Sequence, residues 1–253
     1  MHQRRLYAHR GAAAERPENT MPAFERAVEI GVDALEMDVH LTRDERLIVV
    51  HDPTAARTTG TPVAWADLDF ADARRLDAGW GFLAEDGTRP FAGKSIGVPA
   101  FEDVLDAFPR MRINVDLKGE RAVDVMLDLI QRKRADDRVT LASFTLRTLV
   151  QIRRRGYGGE TALSQGEVAT LLGMPAMLWR QLPLTGTAAQ VPVRAGRIQL
   201  GRAAFIAKCH SIGLRVDFWT IDDRAEAARL LELGADGIIT NDPAAIRPVF
   251  YRS

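Results

Sequence analysis

The sequence predicts an α/β fold closed as a (β/α)₈ TIM barrel, with a small insertion after a hairpin on the second strand. Three observations support this. Apolar strand-like runs alternate with helical patterns along the whole chain, eight of those runs read as strands, and 253 residues suit one large domain of barrel size. A hydrophobic fraction of 46% is ample for a single core, so 1–253 reads as one domain.

The strands are predicted over 6–9, 34–39, 112–117, 139–143, 161–164, 189–193, 215–220 and 237–240. Helical patterns over 22–30, 121–134, 145–155, 202–211 and 224–233 stand between many of them. Gly31, Gly156, Gly213 and Gly234 follow helical stretches, where a left-handed cap is expected. Residues 47–51 form one further apolar run. The polar link before it is too short for a parallel crossover, so this run is expected to pair back on the second strand as a hairpin. The segment 53–98 interrupts the barrel rhythm with Gly and Pro punctuation, and its length predicts a small subdomain or lid, with Trp80 in its own core.

Composition narrows the function classes. Lys plus Arg equal Asp plus Glu at 34 each, so no global field argues for nucleic acid or an anionic membrane. The single cysteine, Cys209, cannot form an internal disulfide and sits in a helical pattern as a packing residue. No run of about 18 apolar residues offers a transmembrane segment. The first motif follows Met1 too closely for the apolar core of a signal peptide, which predicts a cytoplasmic location. The sequence is silent on oligomeric state.

Four short segments carry the chemistry: His9-Arg10-Gly11, Pro17-Glu18-Asn19-Thr20, Glu36-Met37-Asp38 and His51-Asp52. They gather two imidazoles, a guanidinium and, in Glu36 and Asp38, a pair of carboxylates, the groups needed to handle a metal-bound phosphate. Period-two alternation over 34–39 places Glu36 and Asp38 on one strand face, where they repel unless neutralised, and a divalent cation is the simplest neutraliser. His9, Glu36, Asp38, Asp116 and Lys118 all fall at C-terminal strand ends, where the active sites of such barrels lie. The 47–51 hairpin would bring His51 back toward Glu36 and Asp38.

With these motifs the chain resembles the glycerophosphodiester phosphodiesterases. Leu41-Thr42 with Asp44, the 114–118 segment, Ser143-Phe144, Gln190-Val191-Pro192, Trp219-Thr220 and the 236–240 segment extend the likeness over nearly the whole chain. The resemblance implies metal-dependent hydrolysis of a small-molecule phosphodiester to glycerol 3-phosphate and an alcohol. It implies His9 and His51 as the acid and base pair, and Arg10, Lys118 and Trp219 as substrate contacts. Glu36, Asp38 and Asp116 would hold the cofactor, a divalent metal such as Mg²⁺ or Ca²⁺, for which an oxygen-only donor set is suited. Glu18 and Asn19 would organise the first loop, and Asp52 would either orient a neighbour or cap a turn.

Two positions depart from the family pattern, Asp116 where Glu is usual and Asn241 where Asp is frequent. The alternative substrate is a lysophospholipid, cleaved as by a lysophospholipase D. The apolar stretch 171–179, with Leu182, Leu184 and Phe82-Leu83, would then either pack the insertion on the barrel or form a rim for one acyl chain.

Overall fold

The computed structural model describes residues 3–174 and 185–251. The chain opens with β1 (Arg5–His9), α1 (Met21–Ile30), β2 (Ala34–Leu41) and β3 (Leu47–Val49), followed by two single-turn pieces, α2 (Ala56–Thr59) and α3 (Phe70–Ala73). Next come α4 (Phe101–Ala107), β4 (Arg112–Leu117), α5 (Val123–Lys133), β5 (Val139–Ala142), α6 (Leu146–Arg154), α7 (Gln165–Gly173) and β6 (Ala188–Pro192). A small hairpin of β7 (Arg194–Ala195) and β8 (Ile198–Gln199) precedes α8 (Ala203–His210), β9 (Arg215–Trp219), α9 (Arg224–Glu232), β10 (Gly237–Thr240) and α10 (Pro243–Phe250).

Seven strands run parallel in the order β5-β4-β2-β1-β10-β9-β6. Residues 161–162 fill the space between the two outer strands, because Leu141 pairs with Thr161 and Ala162 pairs with Ala188, both in parallel. Ala162 N–H donates to the Leu141 carbonyl at 3.0 Å and Leu163 N–H to the Ala188 carbonyl at 2.8 Å, so backbone bonds run from β5 through this segment to β6. The strand predicted over 161–164 is therefore two bridging residues, and they close the barrel.

Local chemistry sets the elements. In α1 the helical spacing of Ala23, Phe24 and Ala27 buries one stripe, Pro22 stands at the start, and Gly31 ends the helix at φ 85°. A capping box starts α7, with Glu167 N–H donating to Ser164 Oγ and Ser164 N–H to the Glu167 carboxylate. The strands are buried on both faces, as a barrel wall covered by helices requires.

The predicted hairpin forms. β3 runs antiparallel to β2 with Val39 opposite Val49, and Val50 N–H donates to the Asp38 carbonyl at 3.0 Å. The strand stops at Val49, so His51 lies in the turn beyond it. Residues 53–98 pack on the outer side of this hairpin around Ile48, Val50, Ala55, Trp65, Ala73, Ala78 and Val98. Trp65 fills the core place expected for Trp80. Trp80 is 37% exposed, with its ring packed against Gly60, where a Cβ would stand 3.0 Å from it, and lying under the Arg89 guanidinium. Cys209 is fully buried in α8. No described helix is long and apolar enough to cross a membrane.

Candidate active site

The C-terminal strand ends converge on a cavity of about 760 Å³ lined by His9, Arg10, Glu36, Asp38, His51, Asp116, Lys118 and Trp219. All eight residues singled out by the sequence meet there. Strand register accounts for it: His9 lies opposite Glu36 across β1 and β2, and Asp38 lies opposite Asp116 across β2 and β4.

The loop after β1 is bent to present its groups. Arg10 and Asn19 both adopt left-handed φ, at 55° and 56°, and Asn19 N–H donates to the Arg10 carbonyl at 2.9 Å. Gly11, at φ 83°, packs so closely on α1 that a Cβ would stand 2.7 Å from Ala23. This seating points the Arg10 N–H at Glu36, which accepts at 3.1 Å, and the Asn19 amide at Asp38, which accepts at 3.2 Å.

The electrostatics are layered. Asp38 is flanked by Arg10 Nε at 3.1 Å and Lys118 Nζ at 2.9 Å, and Lys118 also reaches Asp116 at 2.5 Å. Burial raises the Asp38 carboxyl, but Lys118 and Arg10 outweigh it and hold the group below its ordinary range. Glu36 has weaker compensation, so burial and the Asp38 charge push it well above the usual carboxylate range. Burial also raises Asp116, and its Oδ1 is buried without a hydrogen-bond partner among the described residues. The three carboxylates are not drawn into a ligand shell. No group of three or more His, Cys, Asp or Glu among the described residues is disposed to hold a metal, and the Lys118 ammonium stands between Asp38 and Asp116.

Each imidazole has its own support. His9 Nδ1 lies 2.7 Å from the Asn241 side-chain oxygen, and Asn241 is tied to Asp222 by its backbone N–H at 2.7 Å and its amide at 2.8 Å. With Asn241 accepting, the proton sits on His9 Nδ1, and Nε2 faces the Glu36 side at 3.9 Å. Burial and the Arg10 charge lower His9, favouring the neutral ring. His51 Nδ1–H donates to Asp52 at 2.7 Å, and the His51 carbonyl takes a bond from the His40 ring at 2.9 Å. Asp52 thus orients the ring rather than capping a turn.

The rest of the cavity is largely apolar. Phe144, Leu163, Val168, Leu172, Ile198 and Leu200 line it, and Phe144 meets Trp219 edge-on at 6.0 Å. The cavity takes no lining residue from 53–98. Phe82 packs on Phe91 within the insertion and Leu83 is exposed, so neither joins the expected rim. Leu171 is core and Leu172 faces the cavity, while Met177, Trp179, Leu182 and Leu184 lie outside the described residues. Sequence reasoning missed Asp222 and the β7–β8 hairpin, and left Asn241 without a role. The position of Asn241 at the end of the last strand, beside β1 once the barrel closes, was the available signal.

Comparison with known proteins shows the family to which the chain is related. The model of the glycerophosphoryl diester phosphodiesterase family matches residues 9–245. A probable glycerophosphodiester phosphodiesterase 2 of Mycobacterium tuberculosis is 33% identical, the alignment covering 96% of this chain and 89% of that protein. A human lysophospholipase D is 26% identical over 96% of this chain and 85% of its own length. Among solved structures, the glycerophosphoryl diester phosphodiesterase domain of Rv2277c from Mycobacterium tuberculosis superposes with a TM-score of 0.85 at 19% identity, covering 98% of this chain and all of that one. An Oleispira antarctica phosphodiesterase in complex with the product sn-glycerol-3-phosphate superposes at 0.79 and 19% identity, covering 97% of this chain and 96% of that one. With a family model spanning nearly its whole length and a relative one-third identical, the chain belongs to the glycerophosphoryl diester phosphodiesterase family.

Proposed function

We propose that this enzyme hydrolyses glycerophosphodiesters to glycerol 3-phosphate and an alcohol, using His9 and His51 for proton transfer. The observation that carries the reading is the placement of both imidazoles in one cavity with Arg10 and Lys118. His9, kept neutral and fixed in one tautomer by Asn241, is suited to take the proton from the attacking oxygen. His51, steadied by Asp52, is suited to protonate the leaving alkoxide. Arg10 and Lys118 bind the phosphoryl oxygens, Arg10 through its planar fork and Lys118 as a point charge. Trp219 packs beside the glycerol moiety.

Glu36, Asp38 and Asp116 offer the oxygen donors that a hard divalent ion takes, and Asp116 Oδ1 is unpartnered, but Lys118 Nζ stands between Asp38 and Asp116 and would have to give way for an ion to reach both. When bound, such an ion would polarise the phosphoryl group and offset its charge. The apolar side of the cavity favours a second reading, in which one acyl chain is admitted and a lysophospholipid is cleaved. The name of the human relative supports it.

Release of sn-glycerol 3-phosphate from glycerophosphocholine tests the first reading and release of choline from lysophosphatidylcholine the second. Turnover is expected to vanish on exhaustive chelation and to return with Mg²⁺ or Ca²⁺. Full activity in the presence of chelator would remove the ion from the reaction.

A further inference from the structure

The insertion lends the site one side chain that does not line the cavity. Arg57, on α2, aims its fork at Glu18, with Nη1 and Nη2 donating to the two carboxylate oxygens at 2.6 and 2.7 Å. Its Nε donates to Asp52 Oδ2 at 2.5 Å. Both carboxylates spend their other capacity inward. Glu18 Oε1 also accepts from Arg10 Nη1 at 2.9 Å, and Asp52 Oδ1 accepts from His51 Nδ1 at 2.7 Å. One guanidinium therefore stands a single carboxylate away from a phosphate-binding arginine and from an imidazole, two groups on separate loops.

Resting on the phosphodiesterase reading above, we propose that Arg57 is a positioning residue that locks Arg10 through Glu18 and His51 through Asp52. Arg57 is not among the residues that line the cavity, so it acts through the two carboxylates. An exposed ion pair contributes little stability by itself, and the Arg57 side chain is 49% exposed. Three bonds from one rigid fork to two carboxylates instead fix direction, which a lysine ammonium cannot reproduce. The carboxylates bear this out chemically. Burial pushes Glu18 and Asp52 upward, yet hydrogen bonds led by Arg57 outweigh burial and hold both below the ordinary range. Each thereby stays an ionised acceptor for the group it orients.

The outward ends of this clasp belong to the insertion and the inward ends to the barrel loops. This gives 53–98 a part in catalysis although it lines none of the cavity. Loss of the clasp would let the His51 ring rotate about its bond to Asp52 and let Arg10 swing with Glu18. Misplacement of reacting groups by about 1 Å costs on the order of 10²-fold in rate.

The test compares Arg57→Ala, Arg57→Lys and Asp52→Asn, singly and as the Asp52→Asn, Arg57→Ala pair, with glycerophosphocholine as substrate. Arg57→Ala is expected to lower kcat roughly 10- to 100-fold, raise KM through Arg10 and leave Tm nearly unchanged. Added guanidinium should restore part of the rate, and Arg57→Lys should restore little. In kcat the double variant should lose no more than the worse single variant, because both act on His51 through one chain of bonds, while the rise in KM, which runs through Glu18, should follow the loss of Arg57 alone. A kcat within about twofold of the parent, or losses that multiply, would overturn the proposal. Ring nitrogen NMR gives a readout independent of turnover: His51 should hold one tautomer in the parent and average in Arg57→Ala. If the parent hydrolyses no phosphodiester, the phosphodiesterase reading fails. If the ring signals are also unchanged in Arg57→Ala, the clasp fails separately.

Discussion

His9 and His51 reach the same cavity from different supports, so each offers its own handle on the reaction. His9→Ala and His51→Ala are each expected to lower kcat at least about 10²-fold with the fold intact, since each removes one proton-transfer group. Steady-state rates with circular dichroism would check this. Asn241→Leu removes the acceptor for His9 Nδ1–H, so the proton can move to Nε2 and block the base. A fall in kcat of about 10-fold or more is expected, with both His9 tautomers visible by nitrogen NMR. At this scale the motifs were legible because residue type announces chemistry. Asn241 was not, since an amide next to a proline-containing turn reads equally well as a cap, and Asp222 has no feature that distinguishes it from a solvent-facing turn residue.

Among the elements, the β2–β3 hairpin was readable because a short polar link leaves an apolar run only the antiparallel partner. The barrel strands were readable for the same reason that they pack: they are apolar over short runs and separated by helical periodicity. The β7–β8 hairpin escaped because two residues per strand carry no periodicity. Trp65, between Ala64 and Ala66, and Trp80, between Gly79 and Gly81, are both lone tryptophans in an irregular segment with no period to say which is buried. Only packing put Trp65 inside, against Ile48 and Val50 of the hairpin. Trp65→Ala is expected to cost about 3 kcal/mol. The loss should be local, so that amide exchange over 53–98 quickens before that of β1, β2 and β4. Uniform quickening across the barrel strands would mean that the insertion and barrel unfold as one unit.

Across the whole molecule, the end of the barrel away from the cavity is held by one buried and one partly exposed ion pair. Arg5 grips Glu160 at 2.8 and 3.1 Å, Glu160 also accepts from Thr140, and Arg215 pairs with Asp217 at 2.9 Å beneath Tyr7. Arg5 lies on β1, Glu160 precedes the bridging residues 161–162, and Arg215 opens β9, so the network ties the closing segment to the opposite wall. Hydrogen bonding from Arg5 outweighs burial and lowers Glu160 from 4.5 to about 2. A carboxyl depressed on folding contributes stability above its unfolded value, and that contribution is lost as pH falls from about 4.5 toward about 2. The Glu160 side chain is one-third exposed, which screening discounts to about 1 kcal/mol, or about 2–4 °C in Tm. The Tm gap between parent and Glu160→Gln should therefore be present at neutral pH and close toward pH 2.5. A gap that widens on acidification would show that the pair does not stabilise the barrel.

The sequence by itself determined which runs form the barrel strands, where five of the helices lie, and which residue types would carry the chemistry, because these follow from apolar runs, the 3.6 period and local caps, while the helices at Phe101–Ala107, Gln165–Gly173 and Pro243–Phe250 were not read from it. It also carried the register of the first half of the site, since Glu36, Asp38 and His51 lie within one hairpin of each other. Tertiary structure alone decided what meets across the closure. Asn241 touches His9 although 232 positions separate them, and Arg57 reaches Glu18 across 39. Those contacts depend on β10 seating beside β1 in one register, with Ala8 opposite Thr240, and on the insertion folding back over the first loop. Pairing of this kind is set by the closure of the whole barrel and by packing on both faces. No local run of residues encodes it.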